Sequence, residues 1–211
     1  MLNHCLKLLP FDRYPIITIP TSTGVNLMKN IYVIRHCEAN GQFPEAKLTN
    51  NGLTQAEDLS AFFSNIQIDR IISSPYKRAL DSITPLAKQL NVDIEIDIRL
   101  KERVLSTENL SDWFEKLGST FDDIDLKFQG GESSKEAMLR VSEVVEEVCR
   151  NKVKNTIIVT HGNLIALLLK YYMKDFGFEE WQNLSNPDVF LLKNEDNKIC
   201  YERLWDKRIQ A

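Results

Sequence analysis

Five side chains that could carry out chemistry stand just beyond short apolar runs of the sequence. They are Arg35 and His36 after IYVI, Arg78 shortly after RIISS, Glu102 after the alternating run IEIDI, and His161 after IIVT. Ligands of largely parallel sheets bind beyond the carboxyl ends of the strands. If the apolar runs are strands of one such sheet, these five side chains lie together at one edge of it.

This combination of side chains suits the transfer of a phosphoryl group. The planar guanidinium of arginine donates paired hydrogen bonds to phosphoryl oxygens. A neutral imidazole can attack phosphorus near neutral pH, and a carboxylic acid can protonate the leaving oxygen. We also expect the backbone N–H groups that follow His161, at the start of a helix, to add donors for the anion.

No metal or other cofactor is predicted. Two guanidinium groups and a second imidazole would neutralise the phosphoryl charge by themselves. The four cysteines lie far apart without a CxxC pair, and three histidines in all give no zinc pattern.

An alternation of strands and helices would position these side chains. The apolar runs predict strands at 31–34, 68–74, 92–98, 156–160, 189–193 and 198–205, the last two as a hairpin across NEDN. The helical spacing of apolar residues predicts helices at 52–64, 75–90, 132–150 and 163–173. This order indicates an α/β fold, a three-layer sandwich with a mostly parallel central sheet flanked by helices.

Two parts of this pattern are less regular. Pro75 suits the first position of its helix, and Pro85, ten residues further on, predicts a kink or a break. Residues 103–131 show no regular pattern, with aromatic residues dispersed among acidic ones. We expect this segment to cover the site as an irregular loop.

Six short segments resemble the motifs of the histidine phosphatase superfamily, also called phosphoglycerate mutase-like. They are, in the family's order, RHCEANGQ, LTNNGLTQA, SSPYKRA, RLKE, GGES and VTHGN, and the resemblance extends from about Lys29 to past Tyr172. It implies the phosphoglycerate mutase-like fold. It also implies roles for single residues: His36 as the phosphorylated nucleophile, Arg35 and Arg78 on the phosphate, Glu102 as the proton donor, His161 as a second histidine on the phosphoryl oxygens, and Gln42 and Asn163 as further substrate contacts.

The sequence departs from the family's usual RHG at Cys37. Glycine tolerates a positive φ that cysteine does not. We therefore expect this loop to have an ordinary backbone conformation. Cys37 as the nucleophile is the lesser alternative, because motif cysteines do not transfer between families.

Each candidate also has a purely structural interpretation. His161 alone could be a buried structural histidine, and Arg78 could be a solvated helix residue. Glu102 could pair with Arg99 or Arg103 on the surface. The catalytic interpretation depends on all five side chains standing at the ends of strands of one sheet.

Three functions fit these residues. The first is a metal-independent phosphomonoesterase acting on a small phosphorylated substrate, and the second is a cofactor-dependent phosphoglycerate mutase, which must retain a bisphosphate. The covering segment 103–131 has three basic residues against six acidic ones, which disfavours a highly anionic ligand and favours the phosphatase. The third is a catalytically silent domain that binds a phosphorylated ligand on the same fold.

Composition limits the partners of the protein. A net charge of −4 and a pI near 5.5 give no basic field for nucleic acid, and no apolar run is long enough to span a bilayer. Scattered thiols predict a reducing compartment, the cytoplasm. Residues 1–27, with three prolines, are predicted to be a loosely held extension before a single domain at 28–211, in which the hairpin around Trp205 could form a homodimer.

Overall fold

A six-stranded mixed sheet forms the centre of the protein, whose computed structural model describes residues 29–195 and 198–205. Its strands are β1 (Asn30–Arg35), β2 (Arg70–Ser73), β3 (Ile94–Ile96), β4 (Asn155–Thr160), β5 (Asp188–Glu195) and β6 (Lys198–Arg203), in the order β3-β2-β4-β1-β5-β6. The first four strands pair in parallel. The antiparallel hairpin of β5 and β6 extends the sheet beside β1, as predicted.

Helices cover both faces of the sheet. They are α1 (Asn50–Phe62), α2 (Lys77–Leu90), α3 (Trp113–Asp122), α4 (Ser134–Arg150), α5 (Gly162–Tyr172) and the short α6 (Phe178–Gln182). One core joins alternate sheet residues such as Val33 to α3, α4 and α5. The other joins Ile34 and its neighbours to α1 and α2. The predicted three-layer α/β sandwich is confirmed.

The register of the sheet decides which residues meet at its carboxyl edge. β1 pairs with β4 from Asn30 opposite Asn155 to Arg35 opposite Thr160. The next residues, His36 and His161, therefore leave two adjacent strands at the same level. On the other side of β4, the N–H of Ser74 donates to the carbonyl of Val159 over 2.9 Å, which brings the end of β2 to that level too.

Several element predictions were wrong in detail. Helix α2 begins at Lys77 instead of Pro75, because Tyr76 is extended and serves as the N-cap. The helix also continues past Pro85 to Leu90 without a break, with Ile83 and Leu86 buried on either side of the proline. Strand β3 is only three residues long, and a 3₁₀ turn at Ile98–Leu100 follows it.

The segment 103–131 is not irregular throughout, because it contains α3. Leu117 and Phe121 face the core, and Phe114 and Phe121 contact Phe178 of α6, with ring centroids 5.0 and 5.7 Å apart. Packing against Phe178, which lies 64 and 57 residues along the chain from Phe114 and Phe121, therefore stabilises a helix that the local sequence supports weakly.

The predicted N-terminal extension, residues 1–27, lies outside the described residues, as does the tip of the hairpin turn. None of the helices among the described residues is both long and apolar enough to cross a membrane. The cytoplasmic location and the homodimer stay predictions.

Candidate active site

The structure brings the five predicted side chains together at the carboxyl edge of the sheet. The rings of His36 and His161 lie 5.1 Å apart between centroids. The Nε of Arg78 lies 3.1 Å from Nε2 of His36. The guanidinium of Arg35 packs against Gly162, and the carboxylate of Glu102 lies at the start of α5, where Gly162 is the first residue.

The hydrogen bonds of His36 determine which of its ring nitrogens carries hydrogen. Nδ1 lies 2.7 Å from the carbonyl oxygen of Cys37, which can only accept, so Nδ1 is protonated. Arg78 is a permanent donor, so Nε2 accepts from it and carries the lone pair. Burial, with the positive charges of Arg78 and Arg35, lowers the pKa of His36 to about 3. The ring is therefore neutral, with its nucleophilic nitrogen turned toward Arg78.

Arg78 is a fully buried guanidinium held from three sides. Its Nη1 donates to the carbonyl oxygens of Gln42 and Phe43 over 3.1 and 3.0 Å. Its guanidinium carbon lies 4.9 Å from the centre of the Tyr76 ring, a cation–π contact. Nη2 is buried and has no partner among the described residues. Arg78 is thus not the solvated helix residue of the structural interpretation.

Arg35 has a similar arrangement on the other side of His36. Its Nη1 donates to the carbonyl oxygens of Leu184 and Ser185 over 3.0 and 3.3 Å, while Nε is buried without a partner. A Cβ on Gly162 would lie 2.9 Å from this Nε and 3.1 Å from Nη2. The absence of a side chain at residue 162 is what allows the guanidinium to lie against the start of α5.

His161 is completely buried and is oriented by the turn that follows β2. Its Nε2 lies 2.7 Å from Oγ of Ser74, and its ring centroid lies 5.0 Å from that of Tyr76. Its Nδ1 has no partner in the part of the chain that the structure describes. Burial lowers the pKa of His161 well below its usual value, and the neighbouring His36 and Arg78 add to this, so the ring is neutral. If Ser74 donates to Nε2, Nδ1 carries hydrogen and can donate to an anion.

Glu102 is half-buried against the N-terminus of α5. Its carboxylate accepts from the backbone N–H groups of Asn163 and Leu164 over 3.2 and 3.1 Å, and from that of Arg103 over 2.9 Å. Two of the helix N–H groups that were expected to bind the anion are thus bonded to this carboxylate instead. That expectation was wrong for these two groups, since a carboxylate in the chain reaches them.

The environment of Glu102 raises its pKa. Burial is the largest cause, and it outweighs the backbone N–H bonds and the positive charge of Arg35, which act in the opposite direction. The side chain of Arg99 instead pairs with Asp97 and Glu147. Surface pairing of Glu102 with Arg99 is therefore not observed.

Unpartnered donors converge on the same place. Of the seven buried side-chain polar atoms that lack a partner in the described residues, five belong to Arg35, Arg78, His161 and Asn163. Four of these atoms are Nε of Arg35, Nη2 of Arg78, Nδ1 of His161 and Nδ2 of Asn163, all of which can donate. Buried polar groups normally have partners, and this set can donate several hydrogen bonds to an anion.

Of the two further predicted substrate contacts, Asn163 has a buried side chain and Gln42 has an exposed one. The amide of Asn163 is buried in the site, as described above. The side chain of Gln42 is exposed, and its backbone carbonyl is what anchors Arg78.

Cys37 has the ordinary backbone that was expected. Among the described residues, Asn91 is the one residue other than glycine with a positive φ. The thiol is buried in the core, and burial raises its pKa to about 12. A protonated, buried thiol is a poor nucleophile, which disfavours the alternative role of Cys37.

Sequence reasoning missed four residues of the site: Ser74, Tyr76, Gly162 and Asn186. Asn186 donates from Nδ2 to the carbonyl oxygen of His36 over 2.7 Å. Ser74 and Tyr76 stand four and two residues before Arg78, and this spacing could have drawn attention to them. No signal in the sequence indicates Asn186, which meets His36 across 150 residues. In the part of the chain that the structure describes, no group of three or more His, Cys, Asp or Glu side chains is arranged to hold a metal ion.

Comparisons with known proteins agree with this geometry. Residues 31–206 match the model of the histidine phosphatase superfamily, branch 1. A candidate phosphoserine phosphatase 2 of Hydrogenobacter thermophilus is 25% identical over 202 residues, which cover 83% of this chain and 98% of that protein.

Two solved structures illustrate the shared fold. Mycobacterial glucosyl-3-phosphoglycerate phosphatase with inorganic phosphate has a TM-score of 0.69 and 22% identity, over 87% of this chain and 99% of that one. Phosphoglycerate mutase from Bacillus anthracis has a TM-score of 0.66 and 16% identity, over 85% and 93% of the two chains. The predicted phosphoglycerate mutase-like fold is confirmed.

Proposed function

Because the chain belongs to the histidine phosphatase superfamily, branch 1, we propose that it is a phosphatase that hydrolyses a phosphate monoester through a phosphohistidine on His36, without a metal ion. The observation that carries this proposal is the set of unpartnered donors around the lone pair of Nε2. Phosphoryl transfer depends mainly on positioning and charge stabilisation. Two fixed guanidinium groups, a neutral imidazole and an amide supply both.

The first half-reaction transfers the phosphoryl group to the enzyme. Nε2 of His36 gives up its hydrogen bond from Nε of Arg78 and attacks phosphorus, so that a P–N bond forms while the P–O bond to the alcohol breaks. Glu102, which burial keeps protonated to higher pH, gives its proton to the leaving oxygen. The bond from Nδ1 to the Cys37 carbonyl stabilises the positive charge that develops on the ring.

The second half-reaction returns the enzyme to its starting state. The Glu102 carboxylate takes a proton from water, the water oxygen attacks phosphorus, and the P–N bond breaks. Nε2 regains its lone pair, Glu102 regains its proton and inorganic phosphate leaves. Arg35 and Arg78 hold the phosphoryl oxygens throughout, since their backbone anchors fix both guanidinium groups.

The mutase alternative requires a covering segment that retains a bisphosphate. The basic side chains of segment 103–131 already form hydrogen bonds or ion pairs with other residues of the protein. Arg103 is buried, with Nη1 donating to Thr120 over 2.7 Å. Lys116 pairs with Asp112 over 2.8 Å, and Lys127 pairs with Glu136 over 2.9 Å. These contacts favour the phosphatase. The silent-domain alternative is disfavoured by the position of Glu102 at the start of α5, directly after His161, where its charge interacts with those of Arg35 and Arg78.

The test is hydrolysis of p-nitrophenyl phosphate with EDTA present, in the wild type and in the His36→Ala and Cys37→Ala variants. We expect activity in EDTA that is lost in His36→Ala and kept in Cys37→Ala, which removes the neighbouring thiol. Acid-labile phosphate on His36 should be seen by mass spectrometry after rapid quenching at alkaline pH. Equal activity of His36→Ala and the wild type would refute the nucleophile, and activity that EDTA abolishes would refute metal independence.

A further inference from the structure

The cations of the phosphate site can serve only one anionic group. Arg35 and Arg78 each use Nη1 to bind two backbone carbonyl oxygens, which fixes the orientation of both guanidinium groups. Each presents a single buried nitrogen without a partner, Nε of Arg35 and Nη2 of Arg78. Both flank His36, so neither can turn outward to bind a second anion on the leaving group.

Segment 103–131, which begins directly after Glu102, offers little counter-charge to a second anion. The three basic residues of segment 103–131 are held by the contacts of Arg103, Lys116 and Lys127 given above. The same segment has twice as many acidic residues as basic ones. A carboxylate or second phosphate brought under this segment would meet an unfavourable field.

Loops that contribute to the phosphate site also carry apolar side chains. Phe43 is 59% exposed, and its own carbonyl binds the guanidinium of Arg78. Val104, two residues beyond Glu102, is 42% exposed. The ring of Tyr76 contacts both His161 and Arg78. Single exposed apolar side chains are common on protein surfaces, but these three come from three separate loops that each contribute a residue to the site.

We propose that the substrate has one anionic group, its phosphoryl group, and that its alcohol portion is an uncharged or cationic moiety with apolar surface that packs on Phe43 and Val104. This inference rests on the proposed phosphatase function and names the class of its substrate. We expect phosphate esters that also carry a carboxylate to be poor substrates, because Arg35 and Arg78, the two guanidinium groups anchored beside His36, are both used by the phosphoryl group.

The first experiment compares matched esters on the wild-type protein. Phenyl phosphate is compared with 4-carboxyphenyl phosphate, and phosphoethanolamine with phosphoserine, so that each pair differs by one carboxylate. We expect kcat/KM to be roughly tenfold or more higher for the member without the carboxylate, since like charges placed close together are costly. The carboxylate makes the phenolate a slightly better leaving group, so leaving-group chemistry cannot produce this preference.

The results separate the inference from the function on which it rests. Equal rates within both pairs, or a preference for the carboxylated member, would overturn the inference while leaving the phosphatase in place. Absence of hydrolysis of all four esters would overturn the proposed function and the inference with it.

A second experiment tests the apolar contact. Phe43→Ala keeps the backbone carbonyl that anchors Arg78 and removes only the ring. We expect it to lower the ratio of kcat/KM for phenyl phosphate over phosphoethanolamine by several-fold. Leu139→Ala, which removes a side chain of similar exposure on α4, 49% against 59%, should leave this ratio unchanged. An equal loss on both substrates in Phe43→Ala would mean that the ring acts through Arg78, and would overturn the apolar contact.

Discussion

The contact between Gly162 and Arg35 gives a prediction whose size follows from the structure. A Cβ at residue 162 would lie 2.9 Å from Nε, 3.0 Å from Cζ and 3.1 Å from Nη2 of Arg35. In Gly162→Ala the guanidinium must therefore move. It then loses either its anchors at Leu184 and Ser185 or its contact with the substrate phosphate. A hydrogen bond to a charged group contributes about 1.5–3 kcal/mol, which corresponds to a decrease in kcat/KM of roughly 10- to 150-fold.

The stability of the variant should not decrease with its activity. Gly162 is the first residue of α5, and alanine is the better helix former by up to about 1 kcal/mol in a helix interior. The atoms that must shift belong to the end of one flexible side chain. We expect an unchanged or slightly higher free energy of unfolding by denaturant titration. Gly118→Ala in α3, where a Cβ would lie 3.3 Å from the ring of Phe178, is the control that should keep full activity.

A double-mutant cycle tests whether the added methyl group acts through Arg35. Arg35→Lys removes the planar guanidinium against which the Cβ of residue 162 would press. If the reasoning is right, adding Gly162→Ala to Arg35→Lys lowers kcat/KM by less than about twofold, because the two changes act on one contact. Additive losses, activity of Gly162→Ala within threefold of the wild type, or a loss of stability that parallels the loss of activity would each refute it.

Two further predictions concern the second histidine and the acid. Ser74→Ala should lower kcat roughly tenfold by removing the 2.7 Å bond that orients His161, whereas Ser73→Ala, which removes a bond to a backbone carbonyl at the buried end of β2, should not; equal kcat values for both variants would contradict the positioning role. Glu102 must be protonated to act as an acid and its pKa is raised, so kcat for phosphoethanolamine should be high below that pKa and fall as the pH rises through it. His36, with a pKa of about 3, should add no loss of activity in mildly acidic buffer. Glu102→Gln should remove this decrease and lower kcat about 10²- to 10⁴-fold, far less for p-nitrophenyl phosphate, whose leaving group needs no proton; a wild-type kcat that does not fall anywhere above the usual range of a glutamate pKa would refute the assignment.

The local sequence pattern was sufficient to predict the strands that carry the site. It was insufficient to predict helix α3, which is stabilised by packing against a distant part of the chain. β1 and β4 each contain a short apolar run, at 31–34 and 157–159, that is followed by polar or charged residues, so their strands and the side chains just beyond them were predictable. Helix α3 was missed although Phe114, Leu117 and Phe121 recur at three- and four-residue intervals. Gly118 and the surrounding acidic residues obscured that spacing, and the partner that stabilises the helix, Phe178, lies far along the chain.

At the site, the sequence likewise predicted which residues come together but not how their side chains are oriented. Residue types at strand ends predicted Arg35, His36, Arg78 and His161, because a parallel sheet gathers such residues whatever the details of packing. Orientation could not be predicted, since it depends on hydrogen bonds between distant segments. The carbonyl of Leu184 fixes Arg35 from 149 residues away.

In the arrangement around His36, the same guanidinium contacts the proposed nucleophile and contributes to the proposed anion site. Arg78 donates to the lone pair of Nε2 before substrate binds, and it presents an unpartnered nitrogen for the phosphoryl oxygens. Its charge, with that of Arg35, also helps to keep the pKa of His36 low. An ammonium group could supply the positive charge but not three differently directed nitrogens on one plane, one for the histidine, one for the backbone carbonyls and one for the anion. The buried guanidinium at residue 78 therefore performs a task that lysine could not, and this explains why a strand end, a helix and a loop all converge on it.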